Sequence, residues 1–248
     1  MYNMRPVPYE AQAQRAPITE VLPYLRKVYA LFSGGIAFAV AGALVALYAG
    51  KPLEVPVEGG TIAVPPVVAF GLEHFWIMLF VFFGSFFAAS AARRVPGVNV
   101  AALFGYTFIN GLFIAPSIFI AMLMASQGAT MDASPVRDAF LLTGAAFSGL
   151  TAYVFISQKD FSFLGASLWM GLLVVLGASF LGFFFHSAAF SLAIASVGVL
   201  LFCGYILYDT SRLLRAGEND PVGAALRLFL DVINLFLFLL QILSSRRR

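Results

Sequence analysis

A single cysteine, Cys203, and two histidines, His74 and His186, stand in a chain of 248 residues. One cysteine excludes an intrachain disulfide and any cysteine cluster. Two histidines make neither an HExxH element nor a zinc set of histidines and cysteines. Charge is scarce as well: Asp, Glu, Lys and Arg make up 11% of the chain, against about 25% in soluble domains. No loop exceeds about 20 residues, far below the minimum of about 50 for a separate soluble domain. There is no phosphate-binding P-loop, and no GxSxG with a histidine partner. The sequence therefore supports no catalytic class, calls for no cofactor, and is read as something other than an enzyme. The net charge of +3 reports loop arginines and is no argument for nucleic-acid binding.

What fills the chain is apolar surface. Hydrophobic residues make up 61% of it, 27 of them phenylalanine, and the mean hydropathy is +0.92. The apolar runs are continuous rather than alternating, which excludes a transmembrane β-barrel. Each is long enough for a helix to cross about 30 Å of hydrocarbon. Seven such spans are expected, at 28–49, 68–91, 98–125, 138–157, 165–185, 190–211 and 223–243. The breaks between them carry helix-breaking or charged residues, as in "GKPLEVPVEGG", "RRVPG", "SQKDFS" and "AGENDPVG". The fold class is all-α, a polytopic membrane protein. Residues 1–26, with Pro6, Pro8, Pro17 and Pro23, read as a mobile cytoplasmic tail, and 27–248 as the transmembrane domain. Gly35 with Ala39, and Gly144 with Ser148, place small residues one helical turn apart, a spacing that lets helices approach closely.

Orientation follows from the lysines and arginines. Ten fall on the side of the N-terminus, among them Arg26, Lys27, Arg93, Arg94, Lys159 and Arg212. The other side has Lys51 and Arg137, joined by the terminal Arg246, Arg247 and Arg248 if all seven segments cross. The bias puts the N-terminus in the cytoplasm.

Two carboxylates lie inside the last two spans: Asp209 in "LLFCGYILYDTSRLL" and Asp231 in "LRLFLDVINLFLFLLQIL". A charged carboxylate at membrane depth costs roughly 2.5–3.5 kcal/mol on insertion scales. One reading is structural. Arg227, one turn before Asp231, would shield it within the helix, and Asp209 would end an ordinary helix before Thr210, Ser211 and Arg212. The other is functional: both face the bundle interior and meet. Two carboxylates in contact cannot both ionise cheaply, so they share a proton and respond to pH as a pair. Their oxygens also suit a hard cation such as calcium, bound transiently. Arg93 and Arg94 anchor the end of the second span or reach under the bundle to a carboxylate as a latch. Glu73 and His74 open that span at the other interface. Asn234 lies one turn after Asp231, and with Arg227 and Glu73 it is a candidate accessory residue. Asn110, Asn234 and Gln241 are expected to hydrogen-bond between helices, Asp160 to cap the next helix, and Pro116 to kink the third span. Tyr208–Asp209 matches one element of an intramembrane aspartyl protease, but Leu-Phe-Leu before Asp231 lacks the second, Gly-x-Gly-Asp. No inverted repeat supports a coupled transporter.

The C-terminal third resembles the Bax inhibitor-1 family, also called the transmembrane BAX inhibitor motif family. The resemblance rests on "SVGVLLFCGYILYDTSRLL", on "LRLFLDVINLFLFLLQIL" and on the "ISQKDFSFLG" loop, in that family's order. It implies seven helices with the last one central, enclosed by the other six. It implies a calcium leak gated by pH through a di-aspartyl sensor at Asp209 and Asp231, with an arginine latch at Arg93 or Arg94. The short loops and arginine-rich tail look bacterial, which implies the inner membrane. A bacterial branch of the family modulates an FtsH-type membrane protease, so the alternative function is a binding partner of such a protease, without transport.

Overall fold

The computed structural model describes residues 18–57, 60–126, 131–182, 184, 187–215 and 219–245. The expected tail up to Pro17, His186 and the terminal arginines lie outside them. A backbone in hydrocarbon must satisfy its own hydrogen bonds, and a helix does so within one segment. Eight α-helices result among the described residues: α1 (Ile18–Tyr48), α2 (Pro66–Glu73), α3 (Phe75–Ala92), α4 (Asn99–Ala125), α5 (Ser134–Ser157), α6 (Gly165–Gly182), α7 (Ala188–Leu213) and α8 (Pro221–Ser245). All but α2 are long and apolar enough to span a membrane. The seven expected spans are present, and five differ from their expected limits by no more than four residues at either end.

Three differences have local causes. First, α1 starts at Ile18, ten residues before the expected span, so residues 18–26 are helix rather than tail. Val21, Leu25 and Val28 are buried one above the next, while Arg26 and Lys27 face outward. This amphipathic turn looks polar by composition. Second, the expected span 68–91 is broken at His74, whose backbone leaves the helical region. Its ring stacks on Phe70, with centroids 4.6 Å apart. Third, the segment expected as a breaker-rich loop forms a hairpin of β1 (Leu53–Val57) and β2 (Gly60–Val64), paired antiparallel from Leu53↔Val64 to Val57↔Gly60. Valine and isoleucine at alternate positions favour this pleated pair, and Pro56 is tolerated because both strands are edges.

The last helix is the axis of the bundle. Ala225, Leu228, Phe229 and Leu235 of α8 have no exposed surface. Four helices, α1, α4, α5 and α7, pack along it, rather than all six others. α3 leans mainly on α4, and α6 on α7, leaving both mostly to the lipid.

The closest crossing joins α1 to α4. A Cβ added at Gly111 would strike the carbonyl oxygen of Ala39, and one at Gly42 the carbonyl oxygen of Phe108. Backbone therefore lies on backbone there, which only glycine permits. Of the small-residue pairs noted in the sequence, Gly35 does pack, against Thr107 and Phe229, whereas Gly144 faces open space. Forcing side chains into a packed contact costs about 1–3 kcal/mol. Gly111→Val should therefore lower the thermal midpoint of the purified protein in detergent. Gly144→Ala should leave it unchanged, and equal effects would contradict this crossing.

Candidate functional site

The end of the bundle where α7 stops and α8 begins is fixed by charge. Asp220 accepts the backbone N–H of Gly223 at 2.8 Å and so caps α8. Arg93 pairs with the same carboxylate at 3.5 Å. Asp160 accepts the Ser162 N–H at 2.7 Å and pairs with Arg215 just past the end of α7. Its cap thus falls on the short 3₁₀ turn Ser162–Leu164 that leads into α6.

Deeper in, Asp209 lies one turn before the end of α7 and Asp231 nearly three turns into α8. Both are 5% exposed. Their carboxyl groups lie close enough to act on each other, and a hydrogen bond between two carboxyls needs a proton on one of them. The second oxygen of Asp231, Oδ2, is buried without a donor. Arg227 Nε donates to Asp209 Oδ1 at 3.1 Å. Arg212, one turn after Asp209 on its own helix, stands 4.0 Å from the same oxygen and over the Tyr208 ring. The constellation is thus two carboxyls and two guanidiniums on one antiparallel helix pair, with the Tyr205 phenol close enough to feel both carboxylates.

The other candidate residues lie apart. Arg227 comes from the helix of Asp231, but its Nε reaches across to Asp209. Asn234 Nδ2 bonds the Leu230 carbonyl in its own helix at 2.7 Å. Asn110 Nδ2 reaches only Tyr106, also in its own helix, at 3.5 Å. Of the three amides expected to link helices, only Gln241 does so, to the Ser191 carbonyl at 3.3 Å. Arg93 is held by Asp220, eleven residues and so about 16 Å along α8 from Asp231, and Arg94 is exposed. Glu73 is exposed before the start of α3, a helix of 18 residues and so about 27 Å from its Arg93 end.

Among the described residues no group of three or more His, Cys, Asp or Glu gathers around one point. Calcium takes six to eight oxygens, more than two carboxylates supply. Sequence reading missed Tyr29 and Thr151. The Tyr29 hydroxyl faces those of Thr151 and of Thr210, the neighbour of Asp209. No signal in the sequence marked them, because tyrosine and threonine are ordinary at helix interfaces.

Comparison with known proteins places the chain in a family. The sequence profile of the family described as "Inhibitor of apoptosis-promoting Bax1" matches residues 21–248. The chain belongs to the Bax inhibitor-1 family. Within it, an uncharacterised protein of Campylobacter jejuni is 34% identical over 92% of this chain and 90% of its own. Mouse protein lifeguard 4 is also 34% identical, over 90% of this chain and 85% of its own. A Golgi anti-apoptotic protein of vaccinia virus is 30% identical over 95% and 91%. This Bax inhibitor-1 chain is thus a multi-pass membrane protein with anti-apoptotic relatives.

The electrostatics make a checkable distinction. A hydrogen bond to a charged group contributes about 1.5–3 kcal/mol. The Arg227–Asp209 bond has that character only while Asp209 is ionised, so its contribution falls away as pH drops and the carboxylate is protonated. Arg227→Gln should lower the thermal midpoint at pH 8 by more than at pH 5. Arg212→Gln, which removes a longer and more exposed contact, should change it less at either pH. Equal losses at both pH values for Arg227→Gln would contradict the pairing.

Proposed function

We propose that this protein is a pH-sensitive leak for calcium or a related cation, gated by the Asp209–Asp231 pair. The observation that carries the proposal is the meeting of two buried carboxyl groups on the central helix and its antiparallel neighbour. A pair joined by one proton has two ways to change. Losing the proton leaves two adjacent negative charges, which repel. Gaining a second removes the charge that holds Arg227. Either event alters the contact between α7 and α8, and a packed bundle answers such a change by shifting between discrete arrangements. The groups that set the balance are Arg212 and Tyr205 on α7 and Arg227 on α8. With the path open, the carboxylates supply oxygen ligands that replace part of the cation's hydration shell.

The protein works in the inner membrane with its N-terminus in the cytoplasm. Support for this comes from the lysine and arginine bias toward the end of the bundle that holds the site. A cation leaving the cytoplasmic face would meet Asp160, Asp220 and their arginine partners at that end.

Calcium flux into proteoliposomes, measured across pH, tests the gate. Asn keeps the shape of Asp but has no proton to gain or lose. The wild-type protein should show a pH-dependent flux, and the combined Asp209→Asn and Asp231→Asn variant a flat one. Identical pH profiles for the two proteins would remove the sensor.

A further inference from the structure

Three hydroxyls from three helices converge: Tyr29 on α1, Thr151 on α5 and Thr210, the residue after Asp209, on α7. All three oxygens are buried, and none reaches a partner at hydrogen-bonding geometry. Thr210 has no exposed surface at all. Each hydroxyl can donate one hydrogen bond and accept two. Burying such a group unpaired costs about 1–3 kcal/mol by mutational measures. Three together, facing one another, make a polar spot of the kind that ordered water fills in protein interiors.

The surroundings give the spot a direction. On its far side lies a cavity of about 660 Å³ between α1 and α5, floored by α4 and α8. Tyr48, Ala133 and Arg137 line it at the end of the bundle opposite the aspartates, and Phe32, Phe147 and Val232 at its depth. Phe32 and Phe147 close that depth, with ring centroids 4.9 Å apart. Tyr29 packs against Phe147 at 6.4 Å and Phe155 at 6.3 Å. The hydroxyl cluster therefore adjoins the aromatic end of the cavity through Tyr29 and Phe147, and Asp209 through its chain neighbour Thr210.

We propose that Tyr29, Thr151 and Thr210 form a buried hydration site that holds ordered water beside the chain neighbour of Asp209, as the next polar step toward the cavity. Neutral hydroxyls suit this position. They exchange hydrogen bonds with water or with the shell of a passing cation, and carry no charge that would bind it tightly. The role of the site as a step on a cation path rests on the leak reading above; its hydration does not.

The test separates the two. Hydroxyl radicals made by X-ray radiolysis of bound water label side chains next to that water, and the yield is read by mass spectrometry on protein in lipid nanodiscs. Tyr106 is the internal control, a buried tyrosine whose hydroxyl has Asn110 as partner. Tyr29 should label several-fold more than Tyr106 in the wild type. In the combined Thr151→Val and Thr210→Val variant it should fall to the Tyr106 level while the protein stays folded, because valine keeps the shape of threonine and only the Tyr29 hydroxyl is left without a partner. Tyr29 labelling no better than Tyr106 in the wild type would overturn the hydration site, whatever the flux. If Tyr29 labels as expected and the valine variant still conducts calcium like the wild type, the site holds water but is no step on the path, and that half of the proposal fails.

Discussion

The contact between Asp209 and Asp231 costs free energy that the surrounding bundle has to offset. Each carboxylate removed from water is expensive at membrane depth, and two together add mutual repulsion unless a proton or a cation intervenes. Much else in the fold serves that contact. α8 takes the central place, with four helices packed along it and Asp231 buried. Asp220 caps its first turn, and Arg93 holds that cap. Arg227 reaches across to Asp209, so one guanidinium ties the two acidic helices together.

This arrangement separates two tasks. The ion pairs Arg93–Asp220 and Arg215–Asp160 hold helix ends and connections at the interface, where water screens them and their net worth is small. The buried pair with Arg227 is poorly screened, so its charge state has structural consequences. A single proton changes little at the first set and much at the second.

The spans were legible because continuous apolar runs of about 20 residues have one meaning in such a composition. The aspartates were legible because a charge in such a run is costly enough to stand out. What stayed hidden depends on neighbours in space. Arg227 sits one turn from Asp231, so sequence alone pairs them, yet the rotation of α8 against α7 gives its Nε to Asp209. Arg93 has a carboxylate partner, but the connection between α7 and α8 puts Asp220 in reach instead of the buried pair. Asn110 and Asn234 bond within their own helices because a carbonyl or hydroxyl one turn back is nearer than any neighbouring helix. Gly42 and Gly111 carry no flag in a chain with 22 glycines, and the first turns of α1 hide an apolar stripe behind charged residues.

The central claim is that the two carboxyl groups titrate as one unit. Site-specific ¹³C labelling of the aspartate side chains, followed by solid-state NMR in lipid across pH, reads each group directly. The account predicts linked steps in which both carboxyl resonances move together, and a changed titration of either group when the other is replaced by Asn. Two independent curves, each indifferent to the other's replacement, would contradict it.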